Sequence, residues 1–234
     1  MIFVNVTVIY GTMKRANTYN CVQLLLNNLS VATSIKVREF FLPKDLPLLY
    51  GNSPSNTIIS ENTLLHLNST SYITDSLDKS DLIILACPVS KCDITAHMKL
   101  LLNHLHYKSI DNNSSSFMKN KIGLVISTSA GAGLFHSTEI MKKSLNFLGI
   151  TNICKFSKTF YEKNWDYVTS KTKLKINKKV FKLSNKIIAL YLSTHTKSAA
   201  ISNQIISSKV IPIFNTNNSN VLNLSYEGNN SYHQ

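Results

Sequence analysis

Residues 81–90 read DLIILACPVS. From Leu82 to Cys87 every side chain is apolar, with no polar alternation. That pattern belongs to a strand buried on both faces, as in a parallel sheet covered by helices on either side. Pro88 ends the run and opens a loop, PVSKCD (88–93). A helix is expected from about Ile94 to Tyr107, with Ala96, Leu101, Leu102 and Leu105 on its apolar side. Beyond the linker DNNSSS (111–116), KIGLVI (121–126) repeats the buried-strand pattern and STSAGAG (127–133) makes a turn. Glu139 to Leu148 then reads as a helix with Ile140, Leu145 and Leu148 facing inward, and a weaker strand is expected near Ile150 to Phe156.

Toward the amino terminus the same alternation appears. Ile2 to Tyr10 (IFVNVTVIY) is a β-rich strand stopped by Gly11, and Val22, Leu25, Leu26 and Leu29 recur at helical steps from Asn17 onward. Ser34 to Leu42 supplies the next strand. PKDLPLLYGNSPSN (43–56), with Pro43, Pro47, Pro54 and Gly51, is expected to be irregular, and 58–79 is helix-compatible. Near the other end, Asp166 to about Leu192 carries Val180, Leu183, Ile187, Leu190 and Tyr191 as a closing amphipathic helix. Strands alternating with helices give right-handed crossovers and hence an α/β fold with a parallel sheet. Two regions are expected: a domain over 1–195 and a Ser/Asn-rich tail over 196–234, either flexible or wrapped on the domain.

Composition bounds the rest. The chain has 234 residues, 44% hydrophobic and 16% charged, enough apolar material for one good-sized core. It contains no run of about 18 apolar residues and opens without a basic, cleavable leader, so a soluble cytoplasmic protein is expected. Cys21, Cys87, Cys92 and Cys154 form no CxxC pair and lie without zinc-ligand neighbours; reduced thiols and no metal site are expected. Net charge is +13, and residues 155–186 alone hold ten lysines against Glu162 and Asp166. Such a concentration either forms a solvated helix face or attracts a polyanion, and without a recognition motif the solvated face is the simpler reading, leaving nucleic acid an unfavoured partner.

In an open parallel sheet, ligands bind outside the carboxyl ends of the strands. Three loops reach that edge: Gly11 to Thr18, Pro88 to Asp93 and Ser127 to Gly133. GTMKRANT (11–18) joins a strand to a helix, where unpaired amides and the macrodipole favour an anion, although Asn17 or Thr18 could equally be a simple helix cap. It lacks GxxxxGK[ST] and GxGxxG spacing, which argues against a nucleoside triphosphate or a dinucleotide fingerprint. STSAGAG pairs hydroxyls with small residues, which lets backbone approach a flat ligand or simply makes a tight turn. His97 and His104 read as surface or packed helix residues, and Cys92 as either an inert or a redox-active thiol.

GTMKRANT after the first strand, DLIILACPVS before a helix, and KIGLVISTSAGAG followed by a helix ending NFLGI together resemble the flavodoxin-like NADPH-dependent FMN reductase family over about residues 1–190. The resemblance implies a flavodoxin-like three-layer sandwich, with a five-stranded parallel sheet of order 2-1-3-4-5. It implies FMN as cofactor and NAD(P)H as co-substrate, with a small-molecule or protein electron acceptor and a homodimer or higher homo-oligomer. Carried over by position, Gly11, Thr12, Lys14, Arg15, Asn17 and Thr18 would hold the FMN phosphate. Pro88, Val89 and Ser90 would line the isoalloxazine and ribityl chain, and Ser127, Thr128, Ser129, Gly131 and Gly133 would close the other side. The flavin carries the redox chemistry, so no catalytic acid or base is assigned. The absence of cysteines from 43–56 implies no iron-sulfur cluster of the kind found in related flavoproteins. Two rival readings remain at this stage: a flavodoxin-like electron carrier, and a noncatalytic protein using the Lys-rich helix as a contact surface.

Overall fold

The computed structural model describes residues 3–46, 71–111 and 118–209. Most of the irregular excursion after the second strand, the linker 112–117 and the end of the chain from 210 lie outside them. Strand β1 (Phe3–Tyr10) leads into helix α1 (Asn17–Ala32) and strand β2 (Ser34–Phe41). Residues 71–78 are helical (α2). Then follow β3 (Leu82–Pro88), α3 (Ala96–Asp111), β4 (Ile122–Ser129), α4 (Leu134–Phe147), β5 (Asn152–Thr159), a short 3-10 turn at Trp165–Tyr167 and α5 (Ser170–Lys209).

The five strands form one all-parallel sheet of order β2-β1-β3-β4-β5. β3 and β4 are central and almost wholly buried, which is what their unbroken apolar runs require. β5 is an edge strand, and its residues alternate between buried Cys154 and Phe156 and exposed neighbours. One half-core packs Val4, Val6, Val8, Leu82, Ile84, Leu124 and Ile126 against Val22 and Leu25 of α1 and Ile176, Val180 and Ile187 of α5. The other packs Ile9, Ile83, Leu85 and Val125 against Ile73 and Leu77 of α2, Met98 and Leu101 of α3, and Met141 and Leu145 of α4.

The sheet order therefore reverses between β1 and β3. β1 hands on to β2 on one side and lies beside β3 on the other, so the connections leaving their carboxyl ends diverge. A crevice opens there by topology alone.

By compactness the chain divides into two units, Met1–Thr196 and Lys197–Gln234. Residues 197–209, within the expected Ser/Asn-rich tail, are helical. No helix among the described residues is long and apolar enough to cross a membrane.

Candidate functional site

A cavity of about 190 Å³ lies at the carboxyl edge of the sheet, over the β1/β3 reversal. Its walls are Thr12, Lys14, Ala16, Asn17 and Thr18 from the first loop and helix start, and Pro88 and Val89 from the second loop. Thr128, Ser129 and Ala130 come from the third, and Phe160, Glu162 and Lys163 from the segment after β5. The three loops singled out by sequence do converge, and a fourth joins them.

The start of α1 is unusual. Its N-cap is Ala16, no side chain caps it, and its first turn holds no acidic residue. Ala is a poor N-cap, typically costing ~1 kcal/mol relative to Ser, Thr, Asn or Asp. The first amides of α1 are thus left without an internal acceptor beside the cavity, where the positive end of the macrodipole favours an anion. Lys14 and Lys163 add two positive charges and Glu162 one negative, which leaves the wall net cationic.

Asn17 is buried, and its amide is committed on one side only. Nδ2 donates to the Glu162 carbonyl at 2.9 Å, tying the first loop to the fourth, while Oδ1 is buried with no hydrogen-bond partner. A buried acceptor left unmade costs about 1–3 kcal/mol, so this atom calls for a donor from outside the chain. Thr18 and Thr128, both buried, share a hydrogen bond of 2.6 Å between their hydroxyls, joining the first loop to the third. Thr12 accepts from the Lys14 amide at 3.1 Å, which shapes the turn before the helix.

Of the residues assigned by position, Thr12, Lys14, Asn17, Thr18, Pro88, Val89, Thr128 and Ser129 line the cavity. Six do not. Gly11 is buried beside it, where a Cβ would come within 2.6 Å of Cys87 Sγ and 2.9 Å of Thr95 Oγ1, so this glycine serves packing between β1 and β3. Arg15 turns outward, its guanidinium over the rings of Tyr19 (5.4 Å) and Phe41 (5.5 Å). Ser90 lies in a tight turn closed by reciprocal backbone bonds with Asp93, and Lys91 and Cys92 occupy its left-handed positions (φ 48° and 64°). Ser127 is fully buried and bonded to Ser137 of α4 at 2.6 Å. Gly131 carries the carbonyl and amide that the Ser129 hydroxyl bridges, while Gly133 starts α4 at φ 91° against Cys92 and Val89.

Ala16, Ala130, Phe160, Glu162 and Lys163 were not foreseen. Phe160 follows the weakest strand pattern and sits among lysines, so its only sequence signal was the aromatic pair Phe160–Tyr161 at a strand end. Beside the cavity, Lys99 donates to Asp93 at 2.6 Å and holds that carboxyl below the usual range, and His136 stands 3.8 Å away on the start of α4. Burial pushes the Cys87 thiol up, and Cys21 up to about 12, so neither is a nucleophile at neutral pH. Among the described residues, no three His, Cys, Asp or Glu gather as a metal site.

The sequence pattern of the NADPH-dependent FMN reductases matches residues 4–160, from β1 to the phenylalanine that closes the cavity. The chain belongs to the NADPH-dependent FMN reductase family. It is accordingly a flavin-dependent NAD(P)H oxidoreductase, with FMN as cofactor and NAD(P)H as co-substrate. No curated protein matches the chain in sequence. Among solved structures, the FMN-dependent NADH-azoreductase of Bacillus anthracis, in complex with FMN, superposes with a TM-score of 0.60 at 13% identity, covering 78% of this chain and 99% of its own. Smu.1420 from Streptococcus mutans gives 0.56 at 14% identity, with 78% and 99% covered. An NADH:FMN oxidoreductase, EMOB, in apo form gives 0.53 at 16% identity, with 81% and 89% covered. At these identities the likeness shows a common fold.

The residues present fit the phosphate-bearing end of FMN. An uncapped helix start meets a cationic wall, and the unpartnered Asn17 Oδ1 suits a hydroxyl such as those of a ribityl chain. At about 190 Å³ the cavity is smaller than the roughly 300–1,000 Å³ of pockets that enclose a whole drug-sized ligand. The second-loop wall offers Pro88 and Val89 and no aromatic ring.

Proposed function

We propose that this protein passes hydride from NAD(P)H to a small-molecule acceptor through FMN held at the β1/β3 crevice. The observation that carries the assignment is the start of α1: a helix capped by Ala16, opening on a cavity lined in part by Asn17, whose buried side-chain oxygen has no partner. When bound, FMN would supply the two-electron redox chemistry that links the nicotinamide to the acceptor.

The chain's own part is to bind and to exclude water. The first amides of α1 with Lys14 and Lys163 take the phosphate charge, and Asn17 Oδ1 accepts from a ligand hydroxyl. The Thr18–Thr128 bond fixes the distance between the first and third loops. Pro88, Val89, Ala130 and Phe160 give the apolar part of the wall that keeps solvent from the ligand. No side chain is assigned as acid or base.

Four free thiols suit a reducing compartment, the cytoplasm. Exposed Met13 and Tyr161, each next in sequence to a lining residue, are available to a second copy that would complete a homodimeric site. Titration of the purified protein with FMN, followed by anaerobic addition of NAD(P)H, tests the reading. Quenching of flavin fluorescence and bleaching of its colour are expected. Absence of FMN binding overturns it, and binding without NAD(P)H oxidation reassigns the protein as an electron carrier.

A further inference from the structure

The strongest charge asymmetry in the molecule is not used by the FMN site. Helix α5 carries seven lysines between 171 and 186, and its sequence holds neither an acidic residue nor an arginine. Lys171, Lys175, Lys178, Lys182 and Lys186 follow one another at steps of three and four residues, so they stand on one face of the helix. All five are exposed, with Lys179 beside them. The opposite face holds Ile176, Val180, Ser184 and Ile187, buried against the sheet. Among the described residues, none of the five takes part in an ion pair.

A second feature runs along the same helix. Leu174, Phe181 and Leu192 are 62%, 54% and 40% exposed. Seven and eleven residues apart, they share one flank of the lysine stripe. The result is a straight edge, about 22 Å long from Lys171 to Lys186 at 1.5 Å per residue, cationic along its crest and apolar along one side.

We propose that this face of α5 docks the enzyme on an anionic lipid surface. A helix lying at a headgroup layer uses this combination: lysines reach the anionic headgroups while adjacent apolar side chains enter the acyl boundary. The two signals act together where either alone binds weakly. Other occupants fit less well. A second copy meeting this face about a two-fold axis would set lysine against lysine. Protein interfaces favour Arg and are depleted in Lys, the reverse of this helix. A polynucleotide would use the charge but gain nothing from Leu174 and Leu192.

Sedimentation of the full chain with phosphatidylcholine vesicles, with and without phosphatidylserine, decides the matter. Wild type is expected to bind the phosphatidylserine vesicles only, and less as salt rises. The triple variant Lys175→Glu/Lys178→Glu/Lys182→Glu is expected to lose at least about 100-fold in partition coefficient, at about fivefold per lysine. Phe181→Ser should weaken binding at unchanged charge. Unaltered FMN content would show that both variants remain folded. The proposal is overturned if wild type ignores anionic vesicles, if the triple variant binds as wild type does, or if a polynucleotide is bound more tightly than the vesicles.

Discussion

The hydroxyls of Thr18 and Thr128 lie 2.6 Å apart, both buried, joining the first turn of α1 to the end of β4. Only one of the pair can donate to the other, which leaves the second proton free to turn toward the cavity that both residues line. Thr128→Val keeps the shape and strands the Thr18 hydroxyl. Unfolding free energy should fall by about 1–3 kcal/mol in chemical denaturation, with FMN affinity reduced in parallel. Unchanged stability and affinity would deny the pair its bridging role.

Asn17→Asp is nearly isosteric but loses the donor to the Glu162 carbonyl and adds a negative charge where a phosphate is proposed to sit. FMN affinity should drop at least about tenfold, equivalent to about 1.4 kcal/mol. Flavin fluorescence titration reads this directly, and tighter binding would refute the anion assignment.

Gly131 and Gly133 share a loop but should respond unequally to substitution. A Cβ at Gly131 meets nothing within 4 Å, whereas at Gly133 it would approach Cys92 Cα at 2.7 Å and Val89 Cγ1 at 2.8 Å, on a backbone with φ 91°. Gly133→Ala should cost about 1–3 kcal/mol through strain and displacement of the second loop, and Gly131→Ala should be near neutral. Paired thermal melts compare them.

His106 packs against Phe147 with ring centroids 4.5 Å apart, and burial holds its ring below the ordinary value of 6.5. The unfolded chain therefore takes up a proton as pH falls through about 6.5 while the folded chain does not. Stability from the neutral ring is full above that value and declines as pH drops toward the folded value. His106→Gln should flatten this acid limb, measured as denaturation midpoints on either side of pH 6.5.

The sheet was legible because β3 and β4 are buried on both faces and so carry apolar runs that no helix period explains. β5 was harder to place. As an edge strand it alternates, and its end at Thr159 lies three residues past the expected Phe156. In the site, the strand-to-helix loops were found from their position alone. Packing partners from elsewhere in the chain were not legible: nothing in the local motifs of Gly11 and Gly133 shows that distant Thr95 and Cys87, and Cys92 and Val89, occupy the space their missing side chains leave. Phe160, Glu162 and Lys163 were invisible for the same reason, since β3 and β4 separate β5 from β1 and only the segment running on after β5 reaches the first loop.

The hollow between the loops after β1 and β3 is a by-product of connectivity: the order of the strands forces the two exits apart whatever side chains they bear. Inheritance can therefore rewrite those turns one residue at a time, trading one guest or reaction partner for another, while the frame beneath keeps folding unaltered.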